Sequence, residues 1–159
     1  MKRILGYLLV LFVGAYGSGH ESFAQARFID VKTGFSVWSG YGSSTSLILG
    51  AGVDIPFEKV MIRPEFNFLT FSGTPVEIAG LIKYNLTRLE DKTVYIYGGP
   101  GIWFMTGGPY LGIDFGGGII FPLEGSEYSI PVDLRLGPVF TPGTTVFQVT
   151  LTGGIRFSL

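Results

Sequence analysis

From Phe28 to the last residue, apolar side chains recur at every second position through eight successive segments, roughly 28–38, 44–55, 60–70, 75–86, 93–104, 109–121, 128–139 and 146–159. One phase reads Ile29, Val31, Thr33, Phe35 and Val37 in the first segment and Phe147, Val149, Leu151, Ile155, Phe157 and Leu159 in the last. No charged residue falls on that phase in any segment. The opposite phase carries Asp30, Lys32, Asp54, Arg63, Glu65, Glu77, Lys83, Asp114, Asp133, Arg135 and Arg156. A period of two is the mark of extended chain, and nothing in the region has helical spacing. The fold is therefore all-β.

Which face meets water decides the rest. A soluble sandwich or lipocalin-like barrel would bury the apolar phase and show Thr, Lys, Glu and Gln outside. Here the charged phase mixes six acids and five bases with Gly34, Gly50, Gly52, Gly99, Gly101, Gly112, Gly116, Gly118, Gly137 and Gly154. Small residues beside long charged ones suit the tight interior of a narrow barrel. Charged residues make up only 14% of the chain, against about 25% in soluble domains. The apolar face is continuous over all eight segments, and each is long enough to cross a bilayer as a tilted strand, which takes ~9–11 residues. In hydrocarbon an unpaired backbone group costs several kcal/mol, so such strands must close on themselves. The expected architecture is a closed antiparallel up-and-down transmembrane β-barrel of eight strands.

The connections alternate as well. Ser39–Ser43, Phe71–Thr74, Met105–Gly108 and Phe140–Thr145 carry no charge, and we expect these loops to be about four to eight residues long. The turns near Phe57–Lys59, Thr87–Lys92 and Pro122–Glu127 carry acids and bases and share an end with both termini. Trp38, Tyr41, Phe71, Trp103, Phe104, Tyr110 and Phe140 lie near the uncharged loops. Phe28, Phe57, Tyr95, Phe121, Tyr128 and Phe157 lie near the charged turns. Two aromatic girdles at the water–lipid interfaces are expected from this. Pro64, Pro100 and Pro131 each remove a ladder donor and are expected at strand ends or bulges. Ile48, Leu69, Leu81 and Ile120 fall on the inward phase and are expected to mark register shifts. A faint repeat, GAGVDIPFE at 50–58 against GGGIIFPLE at 116–124, hints at duplication of a four-strand unit.

Residues 1–26 read as an export signal: a basic start (Lys2, Arg3), an apolar stretch from Ile4 to Ala15 too short to span a bilayer as a helix, and Ala24-Gln25-Ala26 at the cleavage site. The barrel domain is then 27–159. The signal carries His20, the chain's one histidine, and the chain has no cysteine. A Ser-His-acid or Cys-His nucleophile cannot be built from what remains, nor a His- or Cys-based metal site. We expect no enzyme activity, no cofactor and no metal. Glu65 with Asp133 is a conceivable acid–base pair, but ion pairing with Arg63, Arg135 and Arg156 is the expectation. Net charge of −1 gives no footprint for nucleic acid.

With its signal segment, eight alternating segments and TGGIRFSL ending, the chain resembles the small eight-stranded OmpA/OmpX-like barrels and the outer membrane protein beta-barrel domain family of Gram-negative bacteria. The resemblance implies residence in the cell outer membrane and assembly by the barrel-insertion machinery. In such families the last strand is itself the assembly signal, and Thr152, Gly154, Phe157 and Leu159 occupy its places, with Leu159 where Phe is usual. Members differ widely in task, so fold does not set function. The reading that fits is a barrel in an envelope-structural or interaction role, plugged by a charged network of Lys32, Arg63, Glu65, Lys83, Asp114, Asp133, Arg135 and Arg156. The alternative is a narrow pore or lateral conduit for a small apolar ligand. Deleting Phe157–Leu159 is expected to block membrane assembly, read as loss of heat-modifiable gel mobility in the membrane fraction. Normal insertion of the truncated chain would contradict the role given to the terminus.

Overall fold

The computed structural model describes residues 28–40, 43–70, 75–89 and 91–158; the expected signal segment, Tyr41, Phe71 and Leu159 lie outside them. Eight strands form: β1 (Phe28–Ser39), β2 (Ser43–Phe57), β3 (Val60–Leu69), β4 (Val76–Leu89), β5 (Lys92–Met105), β6 (Gly108–Pro122), β7 (Tyr128–Thr141) and β8 (Thr144–Ser158). Each pairs antiparallel with its chain neighbours, and β1 pairs with β8, so the sheet closes into a barrel. The strand ends fall within three residues of those expected from the alternation.

The register sets the shape. A row of paired residues runs from Asp30 through Gly52, Glu65, Ala79, Gly101, Gly112 and Val139 to Val146. Because Phe147 pairs with Ser39, Val146 meets β1 at the level of residue 40, ten residues above the start. A stagger of ten over eight strands, at ~3.3 Å per residue and ~4.8 Å between strands, tilts them by about 40°. At that tilt the ten residues of β3 rise about 25 Å, the height of an outer-membrane apolar band.

Phase then separates the two surfaces. All eleven inward charges are buried. The outward positions, among them Val31, Phe35, Leu49, Phe66, Ile82, Ile96, Leu134, Leu151 and Ile155, are exposed. Three connections at the uncharged end, residues 40–42, 106–107 and 142–143, are shorter than expected, and the fourth, 70–75, has the expected length. Strand pairing runs out to Met105–Gly108 and Thr141–Thr144, leaving two-residue turns. Pro142 presets the first turn position, and Gly143 takes the left-handed backbone of the second at φ 80°.

Three expectations are corrected. Pro64 and Pro100 lie mid-strand, not at strand ends. Pairing lapses for two positions beside Pro64, Pro100 and Pro131, and also beside Pro138, and resumes in the same register. A missing N–H opens the ladder locally without inserting a residue. The one register shift among these pairings is at Asn85/Thr87. Ile48, Leu69, Leu81 and Ile120 mark no shift; they point inward and pack in two apolar clusters. The girdles are thinner than expected, because Trp38, Trp103 and Tyr95 are buried inside. Trp38 and Trp103 meet edge to face with centroids 4.8 Å apart. Phe57, Tyr128 and Phe140 remain exposed near the strand ends.

Leu134 is 48% exposed at the middle of β7. Leu134→Arg is expected to cost ~2–4 kcal/mol in urea unfolding from phospholipid vesicles, the depth-dependent penalty for a cation at the bilayer midplane. A cost under ~0.5 kcal/mol, usual for a water-facing site, would contradict the lipid assignment.

Candidate functional site

Strand alternation aims the inner-phase side chains of every strand into one narrow lumen, and register decides which of them meet. At the charged-turn end, β1 and β8 place Asp30 directly opposite Arg156 across the closing seam. Arg156 grips Asp30 with both ends of its guanidinium, Nε to Oδ1 at 2.6 Å and Nη2 to Oδ2 at 2.7 Å, and Nη2 also reaches Asp54 Oδ2 at 2.7 Å. Arg63 joins the same two acids through Nη1, at 2.5 Å to Asp30 and 3.0 Å to Asp54. Lys83 Nζ donates to Asp54 at 2.7 Å and lies 4.0 Å over the Tyr95 ring.

Glu65 is the second hub. Its carboxylate accepts from Arg63 Nε at 2.9 Å, Lys32 Nζ at 2.8 Å, Asn67 Nδ2 at 2.9 Å and Arg135 Nη2. Arg135 Nη1 continues to Glu77 at 2.9 Å, and the guanidinium lies 5.6 Å from the Tyr97 ring centroid. Ser36 and Thr150, again opposite each other on the closing seam, hydrogen-bond at 2.7 Å. Placing this many charged groups in low dielectric is tolerable because Asp30, Asp54, Glu65, Arg63, Arg135 and Arg156 each meet two or more opposite charges, and Lys32, Lys83 and Glu77 each meet one.

Arg63, Glu65, Lys32 and Arg135 thus come together. Arg156 and Lys83 join Asp30 and Asp54, which the charge pattern puts inside but not among the expected network residues. Asp133 meets no arginine within ion-pair distance among the described residues; Tyr95 donates its hydroxyl to it at 2.6 Å. Asp114 accepts from Gln148 at 2.7 Å. Tyr95, Asn67 and Gln148 share the inward phase with the charges, and that phase is the available signal for them. Height along the barrel, which selects partners, comes from the stagger and is not visible in any one segment.

The lumen has apolar parts too. Trp38, Ile48, Leu69, Trp103 and Val139 cross the mouth at the uncharged-turn end. Ala79, Leu81, Tyr95, Tyr97 and Ile120 line the β4–β6 wall. At the charged-turn end a vestibule of about 370 Å³ opens, bounded by Phe28, Met61, Ile120, Ser129 and Arg156 among others. Of the ending, Thr152 is buried, and Phe157 faces outward with its ring edge-on to Tyr128 at 5.5 Å. A methyl on Gly154 would press within 2.8 Å of Lys32 Cα, so the close approach of β8 to β1 there requires glycine.

No protein-family model matches the chain, and no curated protein matches it either. Solved structures do. Neisserial surface protein A aligns with a TM-score of 0.70 at 9% identity, over 83% of this chain and 96% of that one. The N-terminal β-barrel domain of Pseudomonas aeruginosa OprF aligns at 0.56 and 10%, over 83% and 98%. The outer membrane enzyme PagL aligns at 0.56 and 14%, over 82% and 99%. The chain has the fold of the small eight-stranded outer-membrane β-barrels.

Breaking either side of the Asp30–Arg156 pair leaves buried charge uncompensated. Asp30→Asn and Arg156→Met are each expected to cost ~3–5 kcal/mol. Their double variant should cost less than the sum by ~1–3 kcal/mol in a double-mutant cycle of urea unfolding. Additive losses would mean that the two side chains do not interact.

Proposed function

We propose that this protein is a non-enzymatic integral outer-membrane barrel whose interior is closed to ions, serving envelope structure or interactions within the membrane. The observation that carries this reading is the packing across the lumen. Trp103 is 0% exposed, and with Trp38, Leu69 and Val139 it stops the mouth above two hubs of fully buried ion pairs. A conducting lumen needs a continuous wet path, and these side chains occupy its width.

The conduit alternative needs Ile48, Leu69, Leu81 and Ile120 to form one greasy track. They fall instead in two clusters. On β5, Gly101 separates Trp103 of one from Tyr97 of the other, and Glu77 and Asp114 point over it. Charge in the gap works against passage of an apolar molecule.

PagL, though an enzyme by name, shares only the fold at 14% identity. Between Phe28 and Leu159 this chain has neither His nor Cys to activate a nucleophile. The short uncharged turns offer little surface for a binding head, which leaves the lipid-facing wall as the main contact area. Outer-membrane lipid is the partner of that wall, and the insertion machinery meets the last strand.

Purified barrel reconstituted in a planar bilayer is expected to give no unit conductance. A steady ion current would overturn the closed-interior reading and restore the pore.

A further inference from the structure

Two acids inside the barrel share an arrangement that the other carboxylates lack. Glu77 on β4 and Asp114 on β6 are 0% and 1% exposed. Each has one oxygen well partnered. Glu77 Oε2 accepts from Arg135 Nη1 at 2.9 Å and Asn67 Nδ2 at 2.6 Å, and Asp114 Oδ1 accepts from Gln148 Nε2 at 2.7 Å. The second oxygen of each, Glu77 Oε1 and Asp114 Oδ2, has no donor. Both turn to one place: a methyl built on Gly101, on the strand between them, would lie 2.8 Å from each. With each 2.8 Å from that one point, the two oxygens lie no more than 5.6 Å apart.

We propose that Glu77 and Asp114 hold one proton between them, a bound-proton site in the notch left by Gly101. Two facing carboxylate oxygens cannot both remain ionised in so dry a space, whereas one proton turns their repulsion into a hydrogen bond. The charge count agrees. The described inward residues are Asp30, Asp54, Glu65, Glu77, Asp114 and Asp133 against Lys32, Arg63, Lys83, Arg135 and Arg156, one acid in excess. A single proton makes the lumen neutral.

The facing charged and amide neighbours have partners of their own. From β7, Arg135 is shared between Glu77 and Glu65; from β3, Asn67 is shared between the same two carboxylates. From β1, Lys32 is taken by Glu65, and from β8 Gln148 serves Asp114. Among the described residues no cation pairs with the two bare oxygens and no third metal-ligating side chain joins them. The proton ties β4 to β6 across β5, between the two apolar clusters, where solvent does not reach.

The test is infrared spectroscopy of the full barrel, folded in a detergent free of carboxyl and ester groups, at neutral pH. The expected spectrum contains the carbonyl stretch of a protonated carboxylic acid, slow to shift in deuterium oxide. Isotope labelling of the glutamate or the aspartate carboxyls in the unmutated protein should move that band, and Asp133→Asn should leave it in place. Glu77→Gln supplies an amide donor to Asp114 in place of the proton, so it should fold and lose the band. Absence of the band from the unmutated protein, or a band that survives both Glu77→Gln and Asp114→Asn, overturns the proposal. Replacing potassium and sodium by choline should leave the urea midpoint unchanged. A fall in the midpoint would put a metal cation in the notch and overturn the shared proton. Band and bilayer conductance are separate readouts, so this site and the closed interior can fail independently.

Discussion

Hydrocarbon offers no hydrogen bonds, and the architecture follows from that. A sheet with an apolar outer face can sit in a bilayer only if its first and last strands pair. The β1–β8 seam meets that requirement from Phe28–Ser158 to Ser39–Phe147. Side chains there add to the backbone ladder. Asp30–Arg156 and Ser36–Thr150 are direct cross-strand partners. Gly154 lets the two backbones approach closely between them. Closure is thus held by ladder, ion pair and hydroxyl pair on the same two strands.

Turning the apolar face outward sends the charged face into a lumen too narrow for bulk water. The cost of stripping these charged groups of water is offset chiefly by mutual pairing, and the structure distributes most of that pairing around two carboxylate hubs. Asp30 and Asp54 gather Arg63, Arg156 and Lys83; Glu65 gathers Arg63, Lys32 and Arg135. Arg63 belongs to both and joins them. Glycines opposite these long side chains supply the room: Gly52 lies against the Arg63 guanidinium and Gly50 against Asn67 and Lys32. The β4–β6 wall is built differently, with Tyr95 and Tyr97 filling space beside Gly116 and Gly118. Lys83 over Tyr95 and Arg135 over Tyr97 join the ionic half to the aromatic half.

Much of this is legible in the residues alone. Alternation locates all eight strands, and phase by itself assigns every buried charge to the interior. Where the sequence misleads, it does so for physical reasons. Proximity to strand ends suggests girdle positions for Trp38, Trp103 and Tyr95, yet each sits on the inward phase. A large ring near a mouth can serve as a stopper as well as a girdle. Ile48 and Ile120 resemble slips in phase only if a lumen must be polar throughout. The rule for soluble sheets confines proline to strand ends and bulges. In this barrel Pro64, Pro100, Pro131 and Pro138 each interrupt pairing on one side while the neighbouring pairs keep the register.

What the sequence determined by itself is the partition: apolar outward, charged inward, in eight strands of bilayer length that must close. Period two is a local property of each segment, so local reading suffices. Which acid meets which base was decided by the tertiary structure alone. Partners such as Arg156 and Asp54, or Arg135 and Glu65, lie on different strands at the same height. That height depends on a stagger of ten residues accumulated around the whole barrel. The same is true of the bare oxygens of Glu77 and Asp114. Each strand carries an ordinary inward acid, and only the closed sheet turns them toward one glycine.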